Sequence, residues 1–223
     1  MGPKTSTSKK DSKVSKRGFK SSKTSSTAVL PKGWPSDTTY IGRPAYSKQL
    51  TPEVLTALNT PATTSATTTI KSAAPYSNVR ITPISSPTHP AHNQHGLFAT
   101  RNLQPDTLIL PYLGYAHGKA DEDPASDYDL SLHRELAIGV DATKMGNEAR
   151  FINDYRGVGL GPNAEFREVW LDVGGGAVEK VIAVYVLSAG KSGKGTRARG
   201  IKSGEEILVS YGKGFWEERK GDD

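Results

Sequence analysis

The chain has 223 residues, 35% hydrophobic and 23% charged, enough for one globular domain and an extra segment rather than two full domains. The absence of cysteine excludes a disulfide framework, a thiolate zinc site, an iron–sulfur cluster and a cysteine nucleophile, and the longest apolar run, Val181 to Leu187, is far shorter than the roughly 20 residues of a membrane-spanning helix. Residues 1–32 hold nine Lys and Arg against Asp11 alone, so twenty cations and twenty-two carboxylates remain elsewhere, a balance that argues against a folded nucleic-acid binder with a basic groove.

Residues 1–32 read as a disordered basic tail of Lys, Ser and Thr with almost nothing to bury. Its Lys9-Lys10 and Lys16-Arg17 pairs suit a nuclear-import signal or a weak nucleic-acid contact, and equally a plain solvated tail. With no apolar core for a secretory signal at the front, the expected home is the nucleus or the cytoplasm, and the tail favours the nucleus.

Residues 33–75 read as a linker that carries one short helix at about residues 52–59. Thr51 is the cap, Pro52 takes the first helical position, Glu53 sits in the first turn, and Val54, Leu55 and Leu58 form the apolar face. Residues 76–218 read as the folded domain and 219–223 as its C-terminal end. Val79-Arg80-Ile81 alternates, Leu108 to Leu110 is an apolar run, and Val169, Leu171 and Val173 alternate with Trp170 and Asp172. The turn Gly174-Gly175-Gly176 then leads into Val181 to Leu187, apolar on both faces and therefore a buried strand. Ile207 to Val209 predicts a further strand, and Phe215, Trp216 and Arg219 a closing helical turn. The expected class is mostly β.

Four segments carry a family resemblance. They are Gln94 to Thr100 with Leu103 to Ile109; Tyr112-Leu113-Gly114; Asp127 to Leu130, Ile138 to Thr143 and Gly146 to Asp154 with Pro162-Asn163; and Ile201 to Gly212. In this order they resemble the SET domain of protein lysine methyltransferases over roughly residues 76–218. The resemblance implies small β-sheets (a β-clip) around a threaded, pseudoknot-like C-terminal segment, an exception to the usual avoidance of threading. It also implies S-adenosyl-L-methionine as methyl donor and a lysine-containing protein, a histone included, as substrate.

Residue by residue, it assigns Tyr211 as the catalytic tyrosine, with Tyr128 and Tyr112 near the transfer centre and lysine channel. It assigns His95, Gly96, Leu97, Arg150, Phe151, Asn153 and Asp154 to the cofactor; in place of the family's cysteine-rich zinc module, Phe215 or Trp216 is a candidate lid over the adenine, and equally a core anchor for the terminus. Gln94 stands where the family has the first glycine of Gly-x-Gly, and Asp154 where it has histidine. Read on their own chemistry, Gly96 is a turn residue, Phe151 and Ile152 are core, and Asn153 forms a turn. Phe166 is a candidate to fill the space beside Val209.

Other readings stay open. Asp121, Glu122, Asp123, Asp127 and Asp129 suit an acidic peptide groove or a solvated loop. Lys191, Lys194, Arg197 and Arg199 punctuate a Gly/Ser loop that suits solvent or a nucleic-acid contact. His89, His92 and His95 are interrupted by Pro90, so no metal site is expected. Glu205 and Glu206 point to opposite faces of a strand and are not an acid/base pair. The expected state is a monomer without membrane association. The rival to the enzyme is a non-catalytic SET-like scaffold docked through its basic tail.

Overall fold

The computed structural model describes residues 30–61, 68–190 and 199–212. The readings placed on residues 1–29, on Lys191, Lys194 and Arg197, on the turn through Phe215, Trp216 and Arg219, and on 219–223 lie outside the described residues. The rest is mostly strand, as expected.

The central sheet contains β3 (Thr69–Lys71), β12 (Ala164–Gly174), β13 (Ala177–Val186) and β6 (Leu108–Tyr112), in the order β3-β12-β13-β6. β12 and β13 form an antiparallel hairpin in which Val169 faces Val181 and Phe166 faces Val184. Its turn is Gly174-Gly175-Gly176, with φ of 90°, 66° and 81°, a left-handed path that side chains other than glycine rarely adopt. Val181 to Leu187 is buried at every position. Val181, Ala183 and Tyr185 face a smaller core with Ile70 and Leu171, while Ile182, Val184 and Val186 face the main core. Apolar residues on both faces therefore reflect a strand sandwiched between two cores.

A second sheet runs β2 (Ala45–Tyr46), β7 (Tyr115–His117), β9 (Ile138–Asp141), β8 (Asp129–His133). Two-stranded pairs join β4 (Val79–Pro83) to β5 (His95–Ala99), β1 (Thr39–Tyr40) to β10 (Met145–Gly146), and β11 (Asn153–Asp154) to β14 (Leu208–Val209). A helix, α1 (Pro52–Asn59), begins at its Thr51 cap, whose side chain accepts from Val54 N–H, and buries Leu58 in the main core.

The segment read as a linker does more than connect. Thr39 and Tyr40 pair with Met145 and Gly146, Ala45 and Tyr46 with Tyr115 and Ala116, and Ile70 with Leu171. Two- and three-residue strands carry no periodicity, so composition alone reads them as linker.

The C-terminal segment passes between two parts of the chain. Ile207 N–H donates to Leu97 C=O at 2.8 Å on one side, and Leu208 and Val209 pair with Asn153 and Asp154 on the other. Asn163 closes over it, donating from Nδ2 to Glu206 C=O at 2.7 Å and accepting from Leu208 N–H at 2.8 Å. The segment is thus clasped between earlier stretches of the chain, as the pseudoknot-like arrangement implied by the resemblance requires.

Candidate functional site

A cleft of about 750 Å³ lies where this segment meets β11. Its wall includes His89, His95, Tyr128, Phe151, Asn153 and Tyr211, brought from four separated stretches by the pairings above. Arg150, Asp154 and Gln94 also reach it, and Pro35, Asp37 and Thr38 form one rim.

Tyr211 follows β14 and is fixed at both ends. Its N–H donates to Asp154 Oδ2 at 2.7 Å, and its hydroxyl donates to Ile152 C=O at 2.6 Å. Burial, then the negative charge of Asp154 and the neighbouring Tyr128, pushes its pKa up, so the phenol stays protonated across the physiological range. With its proton committed to Ile152, the oxygen offers lone pairs toward the cleft.

Asp154, at the family's histidine position, has a carboxylate occupied by protein. It accepts from Arg156 N–H at 2.8 Å, from the Arg156 guanidinium at 2.8 Å and from Tyr211 N–H. The aspartate thus anchors the backbone of the tyrosine.

Tyr112 does not reach the cleft wall. It is buried beneath, donating its hydroxyl to Tyr128 C=O at 2.6 Å and meeting Phe166 edge-on at 6.1 Å between ring centroids. Burial first, then nearby Tyr211, raises its pKa well above the ordinary value. Phe166 thus packs against Tyr112, while Val209 is wholly buried.

Arg150 donates to Ala142 C=O at 2.9 Å, and its guanidinium lies 4.3 Å from the Tyr128 ring centroid and 5.1 Å from that of Phe151. It braces both aromatic walls by cation–π contact. Phe151 is also core, as read, and Asn153 is in a strand rather than a turn.

Gly96 and Leu97 lie in β5 and do not form part of the cleft wall. Leu97 has no exposed surface, and Gly96 is an extended strand residue paired with Thr82 rather than a turn. A Cβ at Gly96 would lie 2.5 Å from Glu206 Oε1 and 2.9 Å from Phe98 Cε2, so the glycine here makes room for two side chains rather than supplying an unusual φ. Of the expected triplet, His95 alone lines the cleft.

Glu206 is the residue that sequence reasoning missed. Alternation correctly separates it from the exposed Glu205, whose Oε2 accepts from Lys202 N–H at 3.0 Å. Glu206 instead turns inward, accepting from Asn153 Nδ2 at 2.8 Å and lying 3.1 Å from His89 Nε2. The signal for its role was Gly96, whose missing side chain makes room for it.

The acidic cluster is spread over several local partners. Asp121 accepts from Gly118 N–H at 3.2 Å, Asp123 from Ala125 N–H at 3.1 Å, Glu122 pairs with Lys119, and Asp129 lies against His117. Of the five acids only Asp127 is in the cleft wall, where Asp37 from the N-terminal segment joins it. Among the described residues no three His, Asp or Glu side chains converge as a metal site would require, and no helix is long and apolar enough to cross a membrane.

A family model for the SET domain matches residues 94–212. Solved structures similar to the chain include the polycomb repressive complex 2 of Chaetomium thermophilum, at 21% identity and TM-score 0.44 over 60% of this chain and 15% of that one. An active polycomb repressive complex 2 in the stimulated state aligns at 21% identity and TM-score 0.42, over 60% and 15% of the two chains. An apo, autoinhibited form of the complex aligns at 18% identity and TM-score 0.43, over 65% and 17%. The chain therefore spans less than a fifth of the length of these solved chains. No curated protein matches it.

Proposed function

Because the chain belongs to the SET domain family, we propose that it transfers methyl groups from S-adenosylmethionine to the side-chain amine of a protein lysine, histone lysines among the targets. The observation that carries this reading is the meeting of Tyr211, Tyr128 and Asn153 on one cleft, from positions far apart in the chain.

S-adenosylmethionine combines a carboxylate, an ammonium, a sulfonium and an aromatic base. The cleft wall combines the cation Arg156, the carboxylates Asp37 and Asp127, and the aromatic side chains of Phe151 and Tyr128. That mixture and a volume of about 750 Å³ fit such a ligand. Asn153, His95 and Arg156 would hold it; when bound, it supplies an electrophilic methyl group to the lysine nitrogen.

The chain's own residues align and desolvate. A free lysine, with pKa about 10.4, is almost wholly protonated at neutral pH, so the site must favour the neutral amine by burial near positive charge. Tyr211 is no base, because its own pKa is pushed further up; the lysine proton leaves to water. Its oxygen acts as a fixed acceptor that orients the amine, and Tyr128, braced by Arg150, narrows the approach. Orientation of this kind lowers barriers by up to roughly 7–11 kcal/mol. Asp37 and Asp127 give the rim a charge suited to a basic peptide.

The test is incubation of the chain with labelled S-adenosylmethionine, histones and a broad cell extract, beside Tyr211→Phe. Label on lysine, sharply reduced in the variant, is the expected result. A folded chain that neither binds the cofactor nor moves a methyl would be a scaffold instead.

A further inference from the structure

We propose that His89, which precedes the stretch matched to the family, is a positioning residue for the cofactor side of the cleft, acting through Glu206 on Asn153 and the main chain of His95. This inference rests on the methyltransferase reading above.

His89 projects from the loop between β4 and β5. Its side chain is 9% exposed, as is that of Glu206, and the two approach to 3.1 Å between Nε2 and Oε2. The direction of that contact follows from a second bond: Ala91 N–H donates to His89 Nδ1 at 3.0 Å. A backbone amide can only donate, so Nδ1 carries a lone pair and the ring proton sits on Nε2, aimed at the carboxylate. With both nitrogens committed, His89 has no free lone pair and is not a general base. It acts by holding Glu206.

Glu206 passes that constraint on. Its Oε1 accepts from Asn153 Nδ2 at 2.8 Å, and the same nitrogen reaches His95 C=O at 3.3 Å. The chain of contacts His89, Glu206, Asn153, His95 thus ties the loop, the C-terminal segment, β11 and β5 around one side of the cleft. Glu206 also lies against the bare backbone of Gly96, where a Cβ would stand 2.5 Å from its oxygen. A carboxylate this enclosed needs its donors, and removing one leaves charge without compensation. It would then turn toward water and release the Asn153 amide.

The loop is seated from the other side as well. Gly157 has φ of +78°, and a Cβ there would meet Pro90 Cγ at 2.6 Å, so the proline beside His89 rests directly on the turn after Asp154.

The experiment uses the full chain and measures S-adenosylmethionine Kd by calorimetry, steady-state KM and kcat, and Tm. His89→Ala is expected to raise Kd and KM for the cofactor about tenfold or more, the scale of a lost hydrogen bond to a charged group, with a smaller effect on kcat. His89→Gln, whose carboxamide can donate to Glu206, is expected to recover most of the loss. Should His89→Ala fail to fold, His89→Asn, polar but too short to reach Glu206, serves in its place with the same expected loss. An unchanged Kd in a folded His89→Ala, a defect confined to kcat, or a His89→Gln as weak as the alanine variant would each overturn the positioning role while the methyltransferase reading stood. A folded parent chain that does not bind the cofactor would sink that reading and this proposal with it.

Discussion

The C-terminal segment, residues 201–212, and the N-terminal segment, residues 34–46, both join the molecule through two-residue parallel strand pairs, yet they are held very differently. The C-terminal segment has Ile207 and Val209 fully buried, two side-chain bonds from Asn163, and Tyr211 fixed at backbone and hydroxyl. Beyond its short backbone pairings, the N-terminal segment is latched by a few side chains. Trp34 donates to Thr38 C=O at 2.7 Å and lies edge-on to Tyr40 and Phe151, while the buried Glu148 accepts from Tyr40 OH at 3.0 Å and from Tyr76 N–H at 2.9 Å. The part proposed to align reacting groups is over-determined; the part that builds the rim is pinned at a few points. Local stability should differ accordingly, with the rim opening at lower free energy.

The sharpest attack on this contrast is Tyr211→Phe. It removes the acceptor oxygen and the hydroxyl bond to Ile152 C=O but leaves the backbone bond to Asp154, so kcat should fall about 10²-fold or more while Tm falls only by about 2–4 °C, the scale of one lost hydrogen bond. A variant with near-parental kcat in the labelled-methyl assay would remove the tyrosine from the mechanism. Asn163→Ala tests the grip on the C-terminal segment, because it orphans Leu208 N–H and Glu206 C=O together. The expected cost is about 3 kcal/mol, a fall in Tm of roughly 6–12 °C, and a loss below about 1 kcal/mol would mean that water replaces the side chain freely. Trp34→Ala, by losing one hydrogen bond and two edge-on ring contacts, should cost about 2 kcal/mol. Hydrogen exchange should show the loss confined to residues 34–46 and their partners; protection lost equally along 201–212 would erase the distinction.

The smallest effect concerns His117 and Asp129 in the second sheet. Burial opposes charge on His117, but the Gly118 carbonyl, 3.1 Å from Nδ1, and Asp129, 3.0 Å from Nε2, more than offset it and raise its pKa above 6.5. The Asp129 contact is off hydrogen-bond alignment and therefore mainly Coulombic. For Asp129 burial dominates, raising its pKa despite His117. A raised histidine contributes stability that is fully present below its unfolded pKa and is lost as pH rises through the folded value. The Asp129 shift has the same sign, since ionising a buried acid becomes costlier in the folded state. The Tm difference between the parent and His117→Gln should be largest below pH 6.5 and shrink on the alkaline side. A gap that widens with pH would reverse the assignment.

Much of the framework was legible in residues alone. Thr51 and Pro52 announced α1, the three glycines announced the β12–β13 turn, and Val181 to Leu187 announced a strand buried on both faces, because caps, left-handed turns and apolar runs are local properties. The order of motifs from Gln94 to Gly212 indicated the SET fold. Individual contacts were less legible. His95, Asn153 and Tyr211 reach the cleft, whereas Leu97 and Tyr112 are buried away from its wall, a difference of strand face and depth that motif matching does not resolve.

The sequence by itself determined α1, the longer strands and the glycine turn between β12 and β13, and which aromatic and polar residues accompany the C-terminal motif. Tertiary structure alone decided that residues 33–75 enter the sheets, that most of the acidic cluster is used in local bonds, and that Glu206 faces His89 across 117 positions. The reason is physical: periodicity and capping depend on neighbours a few residues away, whereas the partner of a buried carboxylate is set by strand register and by the space left at Gly96, which exist only once distant segments have paired.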